Sequence, residues 1–148
     1  DSSCYRCLQS FRNRMDHRLL DRQLGIQLLE HSLNGGYPDY PADRVERSLD
    51  LLMYDLERQF GSEFSFVRNV KANDSNAGAI IIPLLAKRLS NGAETWVALS
   101  SPIAPGIPTH YPLRNLSDEG RSKLLCVDDF VVKLNLPDAS LSLRSNLR

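Results

Sequence analysis

The hydrophobic pattern of this sequence changes its period near Gly61, and that change constrains the fold more than any other feature. Before Gly61, apolar residues recur at spacings of three, four and seven, which is typical of helices that bury one face. After it, they mostly alternate with polar residues, which is typical of strands. We therefore predict an α+β fold with an N-terminal antiparallel α-hairpin (residues 4–60) packed on a C-terminal antiparallel β-meander (residues 62–145). A mostly helical bundle is the alternative.

Size and composition bound the class of protein. A chain of 148 residues with 42% hydrophobic and 24% charged side chains suits a single globular domain over residues 1–148. Its 18 basic and 18 acidic residues cancel, whereas nucleic-acid binders usually carry a basic excess. The longest apolar run, residues 77–86, has about half the length of a membrane helix. We expect neither a nucleic-acid partner nor a membrane span.

Residues 4–33 are predicted to form one long helix that ends at Asn34-Gly35-Gly36. A second apolar stripe appears in its second half, at Leu20, Leu24 and Leu28. A helix that is apolar on two faces is expected to lie between two layers, here the second helix and the sheet. The main stripe consists of Leu8, Phe11, Met15, Leu19, Ile26, Leu29 and Leu33.

A second helix is predicted over residues 42–60, with Gly61 directly after it. Its stripe is narrower and its opposite face is charged, so it should bury one face only. The short connection between the two helices predicts that they lie antiparallel. The stripe consists of Val45, Leu49, Leu52, Leu56 and Phe60.

The strongest strand signal is a hairpin between residues 79–89 and 94–100, because Asn91-Gly92 between apolar runs favours a tight turn. Pro83 cannot donate to a ladder, so we expect a bulge or an edge there. The alternative for this stretch is a short helix with Pro83 in its first turn. Residues 71–78 are predicted to form a loop, and residues 124–136 a further strand.

The cysteines are Cys4, Cys7 and Cys126. We predict a structural disulfide between Cys7 and Cys126, with Cys4 as the alternative partner of Cys126. The cysteine left over then forms an intermolecular bond, giving a disulfide-linked homodimer, or stays a free thiol. Two alternatives remain open: a redox pair at Cys4-Tyr5-Arg6-Cys7, where a helix start would lower a thiol pKa, and buried free thiols.

Three observations favour a secreted or lumenal protein over a cytoplasmic one. The cysteines suit an oxidising compartment, and glycosylation sequons begin at Asn73 and Asn115 in stretches expected to be loops. The chain starts without methionine and ends at Arg148, which leads us to expect a processed chain or a fragment of a larger precursor.

No catalytic residues, metal ligands or cofactor site are predicted. The histidines His17, His31 and His110 match no compact metal spacing with the cysteines. Hydrolase, zinc-protease and phosphate-loop motifs are absent from the sequence. An enzyme is therefore the third hypothesis, with a thiol oxidoreductase acting through Cys4 and Cys7 as its concrete form.

Prolines at every third position from Pro102 to Pro108 fit a polyproline II segment, which serves either as a docking strip or as a rigid crossover. Loops with large side chains are common recognition sites. The leading prediction is therefore a non-enzymatic domain that binds a partner protein, and the second is a carrier of a small apolar ligand or lipid. The predicted partner-binding residues are Tyr37, Tyr40, Pro105, Pro108, His110 and Tyr111.

Overall fold

The protein is represented by a computed structural model, which describes residues 4–5, 8–17, 19–36 and 40–147. The chain divides into two compact units, Asp1–Asp39 and Tyr40–Arg148. That both belong to one domain stays a prediction.

In the first unit, the residues predicted as one helix form two separate segments. A 3-10 helix spans Phe11–Asp16, and helix α1 spans Arg22–Asn34. The prediction of a continuous helix over residues 4–33 is therefore wrong. Its predicted end is confirmed, because Gly35 adopts a left-handed φ of 67° and its N–H donates to the carbonyl of His31.

Short polar side chains account for the interruption. The side-chain oxygen of Asn13 accepts a hydrogen bond from the backbone N–H of Ser10 at 2.7 Å. Asp21 begins α1, because its carboxylate accepts from the N–H groups of Gln23 and Leu24. Local bonds of this kind compete with a helical ladder, and apolar spacing does not report them. The packing of this segment in an α-hairpin stays a prediction.

The second unit combines helices with a mixed sheet. In chain order it contains α2 (Ala42–Phe60), β1 (Phe64–Asp74), β2 (Gly78–Arg88), β3 (Glu94–Ser100), a 3-10 helix (Tyr111–Asn115), α3 (Asp118–Lys123), β4 (Leu124–Asp128), α4 (Asp129–Leu134) and α5 (Leu136–Asn146). The strand order is β1-β2-β3-β4. The first three are antiparallel, and β4 is parallel to β3. The α+β class is confirmed, but the sheet is mixed rather than the predicted antiparallel meander.

Helix α2 has the predicted bounds and buries the predicted stripe. Leu49, Leu52 and Leu56 are fully buried, and Val45 and Phe60 pack at the margin of the same cluster. Spacings of three and four place these side chains on one face of the helix. The apolar pattern is sufficient here because α2 buries a single stripe.

The predicted hairpin around Asn91-Gly92 is confirmed, with Gly92 at a φ of 71°. The predicted loop over residues 71–78 is wrong, because β1 continues to Asp74 and turns directly into β2. Polar side chains such as Lys71 and Asn73 fit this strand because they are exposed on its solvent side.

Pro83 lies inside the central strand β2, at the point where the sheet opens. The ladder between β2 and β3 ends with Leu84 opposite Val97, so Pro83 lies just outside it. Across from Pro83, Asn69 has a φ of 55°, and these two residues do not pair although the β1–β2 register is the same on both sides of them. As a result Leu84 and Ile82, two residues apart, belong to different hydrophobic clusters. Of the two predicted alternatives, the bulge is wrong, because the β1–β2 register is the same on both sides of Pro83, and the edge is confirmed locally, because Pro83 lies beyond the β2–β3 ladder.

The strand predicted over residues 124–136 is wrong beyond Asp128, where two helices follow. The carboxylate of Asp128 accepts from the N–H of Phe130 at 2.8 Å and so begins α4. Pro137 lies in the first turn of α5, where its missing N–H costs no hydrogen bond. The apolar pattern within residues 130–136 fits both the helical and the strand period, because so short a stretch does not distinguish them.

The two faces of the sheet are covered differently. Side chains alternate along β3, so Val97 and Leu99 contact one cluster and Trp96 and Ala98 the other. We call the side under α2, α4 and α5 the helical face; its cluster is Leu49, Leu52, Leu56, Phe64, Phe66, Leu84, Ala86, Val97, Leu99, Val132, Ala139, Leu143 and Leu147. The other side is the loop face, with Ile80, Ile82, Leu85, Trp96, Ala98, Leu113 and Leu116.

Candidate functional site: a groove along the edge strand

The proline-rich segment is folded into tight turns rather than a polyproline II helix. The N–H of Ala104 donates to the carbonyl of Ser101 at 2.9 Å, and that of Ile107 donates to Ala104 at 3.1 Å. Gly106 has a φ of 78°, outside the polyproline range. Polyproline II has no internal hydrogen bonds, so the predicted polyproline II conformation is wrong.

The predicted partner-binding residues near this segment are not equally accessible. Pro108 is buried and forms a bridge with Ser100. His110 is half-buried and Pro105 is exposed. Tyr111 is 67% exposed, with the Arg114 guanidinium 5.7 Å from its ring centre. Their role in binding stays a prediction, with Pro105 and Tyr111 as its accessible members.

The other two predicted contact residues lie elsewhere. Tyr37 lies outside the described residues. Tyr40 is half-buried, and its hydroxyl donates to Asp129, which also accepts from Ser48 and pairs with Arg44 at 2.8 Å. Asp129 itself is fully buried. This network fixes α4 to the start of α2, so Tyr40 has a structural role.

Both predicted glycosylation acceptors are exposed side chains. Asn73 lies near the end of β1, and Asn115 ends the second 3-10 helix. The hydroxyl of Ser117, in the second sequon, donates to Asp74 at 2.6 Å. This bond, together with those from the N–H groups of Ala77 and Asn76, holds the pKa of Asp74 well below its usual value. Glycosylation at either asparagine stays a prediction.

Of the two cysteines in the predicted disulfide, Cys126 is within the described residues and Cys7 is not. Cys7 lies outside the described residues, so its bond to Cys126 stays a prediction. Cys4 is exposed. Cys126 is half-buried in the middle of β4 and forms no disulfide with a cysteine in the described part of the chain. Burial raises the pKa of the Cys126 thiol to about 11, which opposes the thiolate that redox chemistry requires.

The sequence reasoning missed a groove beside β4. Within the described residues β4 pairs only with β3, so its other side is an edge of the sheet. Every residue of β4 is half-buried. Between this strand, α4 and α5 lies a cavity of about 250 Å³. Its apolar lining consists of Leu125, Cys126, Val127, Val131, Ala139 and Leu143.

The rim of this groove is polar and acidic. Asp128 and Asp138 line it together with Ser142 and Asn146. Helix geometry places both carboxylates, because Asp128 caps α4 and Asp138 lies in the first turn of α5. The available sequence signals were Asp128-Asp129 before an apolar run and Pro137-Asp138, which mark helix starts as well as turns.

Chemically, the groove offers backbone hydrogen-bonding groups, apolar surface and negative charge. Among the described residues, no group of three or more histidine, cysteine or carboxylate side chains is arranged to hold a metal ion. In the same part of the chain, no helix is both long and apolar enough to cross a membrane. Comparisons with family models, curated proteins and solved structures found no match to this chain.

Proposed function

We propose that this protein is a non-enzymatic binding domain that recognises an extended segment of a partner protein along the open edge of β4. The observation that carries the proposal is the coincidence of an edge strand with an apolar groove. An extended segment that adds to a sheet edge gains main-chain hydrogen bonds, while pockets beside the edge select its side chains.

The strand supplies the first part of this recognition. Edge strands present backbone N–H and C=O groups that no neighbour satisfies, and proteins usually protect long apolar edges with charges, prolines or a covering loop. β4 is five residues long, with Leu125, Cys126 and Val127 between Leu124 and Asp128. Its three central residues carry neither charge nor proline, so the edge can accept another strand.

The groove supplies the second part. It is open, and at about 250 Å³ it lies below the usual range for sites that enclose a small ligand. It can hold one or two side chains of a segment whose backbone runs beside β4. The apolar-ligand carrier is the second candidate, favoured by the same apolar lining.

The proposal includes a secreted or lumenal location. The exposed side chains of Asn73 and Asn115 support the location, since a glycan acceptor has to be accessible. The Cys7–Cys126 disulfide and a disulfide-linked homodimer belong to the same proposal. Non-reducing peptide mapping of the secreted chain tests all of these expectations together.

The binding test selects peptides from a random dodecapeptide library on the full chain and maps the bound peptide by NMR. We expect shifts of the backbone amides of residues 124–128 and loss of binding when alternate peptide nitrogens are methylated. Ser142→Trp should fill the groove and block binding, whereas Ser145→Trp, on the same helix outside the groove lining, should not.

Failure to enrich any peptide would overturn the proposal, as would binding that survives both backbone methylation and Ser142→Trp. Co-purification of a small apolar ligand, seen by native mass spectrometry and abolished by Ser142→Trp, would instead establish the carrier.

A further inference from the structure

We infer that the segment bound along β4 is basic: it places an apolar side chain in the groove and a lysine or arginine beside Asp138. This inference rests on the proposed function and specifies the chemistry of the partner. It concerns the charge of the groove rim, which strand addition by itself leaves undetermined.

The rim of the groove is negatively charged. Asp128 and Asp138 line the groove, and no lysine or arginine does. Asp138 is exposed and has no ion pair with another described residue. The neighbouring carboxylate Asp129, in contrast, is fully buried and paired with Arg44. The negative charge beside the groove is therefore left for a bound partner.

Apolar residues of the groove lie on β4 and α5, next in sequence to the two rim carboxylates. Leu125 and Val127 lie on β4, and Ala139 and Leu143 lie on α5. Asp138 directly precedes Ala139, in the first turn of α5. A strand added to β4 sends alternate side chains to the same face. An apolar side chain over Val127 therefore has same-face neighbours on either side of it along the groove, and both carboxylates line that groove.

A second copy of the chain is the alternative to a basic segment along β4. A two-fold antiparallel pairing of two β4 strands centred on Cys126 would place Asp128 of one copy opposite Leu124 of the other. A carboxylate would then face an apolar side chain, without a basic residue opposite it. Charge complementarity therefore favours a basic segment over self-association.

The test uses three acetylated hexapeptides with valine at position 4, lysine, glutamine or glutamate at positions 2 and 6, and serine elsewhere, so that the varied residues share one strand face with the valine. Affinity for the full chain is measured by NMR titration at low and at physiological salt. We expect the lysine peptide to bind about tenfold more tightly than the glutamine peptide at low salt, the glutamate peptide to bind most weakly, and the differences to shrink as salt is added.

Asp138→Asn should weaken the lysine peptide about three- to fivefold and leave the glutamine peptide unchanged. Asp118→Asn is the matched control, because Asp118 is an exposed aspartate in the first turn of α3 and does not line the groove. Equal effects of both substitutions would overturn the inference.

The remaining outcomes separate this inference from the proposed function. Equal affinities of the three peptides, with shifts at residues 124–128, overturn the basic partner and leave strand recognition intact. Absence of binding by all three, combined with a failed library selection, overturns both. Concentration-dependent dimerisation that shifts the backbone amides of residues 124–128, with no binding of the lysine peptide, assigns the edge to a second copy and overturns the basic partner.

Discussion

The two faces of the sheet are held in different ways. On the helical face, three helices bury a continuous cluster in which Leu49, Leu52 and Leu56 have no exposed surface. On the loop face, a segment with little regular structure covers a smaller cluster through Leu113 and Leu116. A helix brings several apolar side chains to one surface, whereas an irregular segment brings few and needs specific polar bonds to fix it.

The polar bonds of the two faces differ accordingly. Asp74 fixes the loop face: it accepts from the N–H and hydroxyl of Ser117, the residue that caps α3. Gly120 permits this close approach, since a Cβ there would clash with the Asp74 carboxylate. On the helical face, burial alone would raise the pKa of Asp55, but bonds from Ser140, Arg58 and Gln59 lower it overall.

The comparison predicts the largest loss of stability in the helical cluster. Leu52→Ala should lower the free energy of unfolding by about 4 kcal/mol, because a fully buried site surrounded by helices cannot collapse around the cavity. Urea denaturation measures this loss. Leu51→Ala, at a 53% exposed neighbour, is the control and should cost less than about 0.5 kcal/mol. Equal losses would remove the basis of the comparison.

The buried network around Asp129 should rank next. Asp129→Asn should cost about 3 kcal/mol, because it leaves Arg44 without a countercharge and turns an amide N–H₂ toward a donor, either Ser48 on one side or Tyr40 on the other. Chemical denaturation at neutral pH is the measurement. Asp43→Asn, which breaks only an exposed pair with Arg47, is the control. If Asp129→Asn lowered the free energy of unfolding by less than Asp43→Asn, the polar network would add nothing to the apolar packing of α4.

On the loop face, Leu113→Ala should cost about 2 kcal/mol, half the loss at Leu52, although both side chains are buried. An irregular covering segment can move into the space that a helix would leave empty. Denaturation of both variants under one set of conditions measures this difference in free energy of unfolding. A larger loss at Leu113 than at Leu52 would show that the loop face is packed as rigidly as the helical face.

The smallest effect is pH-dependent and concerns Asp74. Its pKa is lowered in the folded state from 3.8, so the ionised carboxylate stabilises the fold above about pH 4, and this contribution is lost as pH falls through the folded-state pKa. The difference in urea midpoint between wild type and Asp74→Asn should therefore be present at pH 6 and shrink as pH falls below about 3. A difference that stays constant over this range would contradict the role of Asp74.

The elements that could be predicted from the sequence are those determined by interactions within a few residues. The bounds of α2, the Asn91-Gly92 hairpin and the Ser117 cap follow from spacing, turn chemistry and capping within a few residues. The errors over 4–33 and 124–136 arise where short apolar stretches fit either period, or where polar side chains such as Asp21 begin a new helix.

The candidate site could not be predicted in the same way. The pairing of Ala98 with Cys126 joins strands separated by an irregular segment and α3, and it makes β4 the edge of the sheet. No local pattern distinguishes an edge strand from a central one, because the distinction depends on which strand finds a partner. Aromatic and proline-rich loops were therefore predicted as the contact surface, and the groove was not.

Local patterns in the sequence are sufficient for the α+β class, the full extent of α2 and the turn between β2 and β3. Periodicity, capping and turn preference act over one or two turns of chain, and these elements need nothing more. Other features appear only once the chain is folded: β4 runs parallel to β3, α4 and α5 complete the helical face, and, within the described residues, an acidic groove lies beside the unpaired side of β4. These features depend on burial between distant segments, where the same apolar residues serve a strand or a helix equally well until their neighbours are in place.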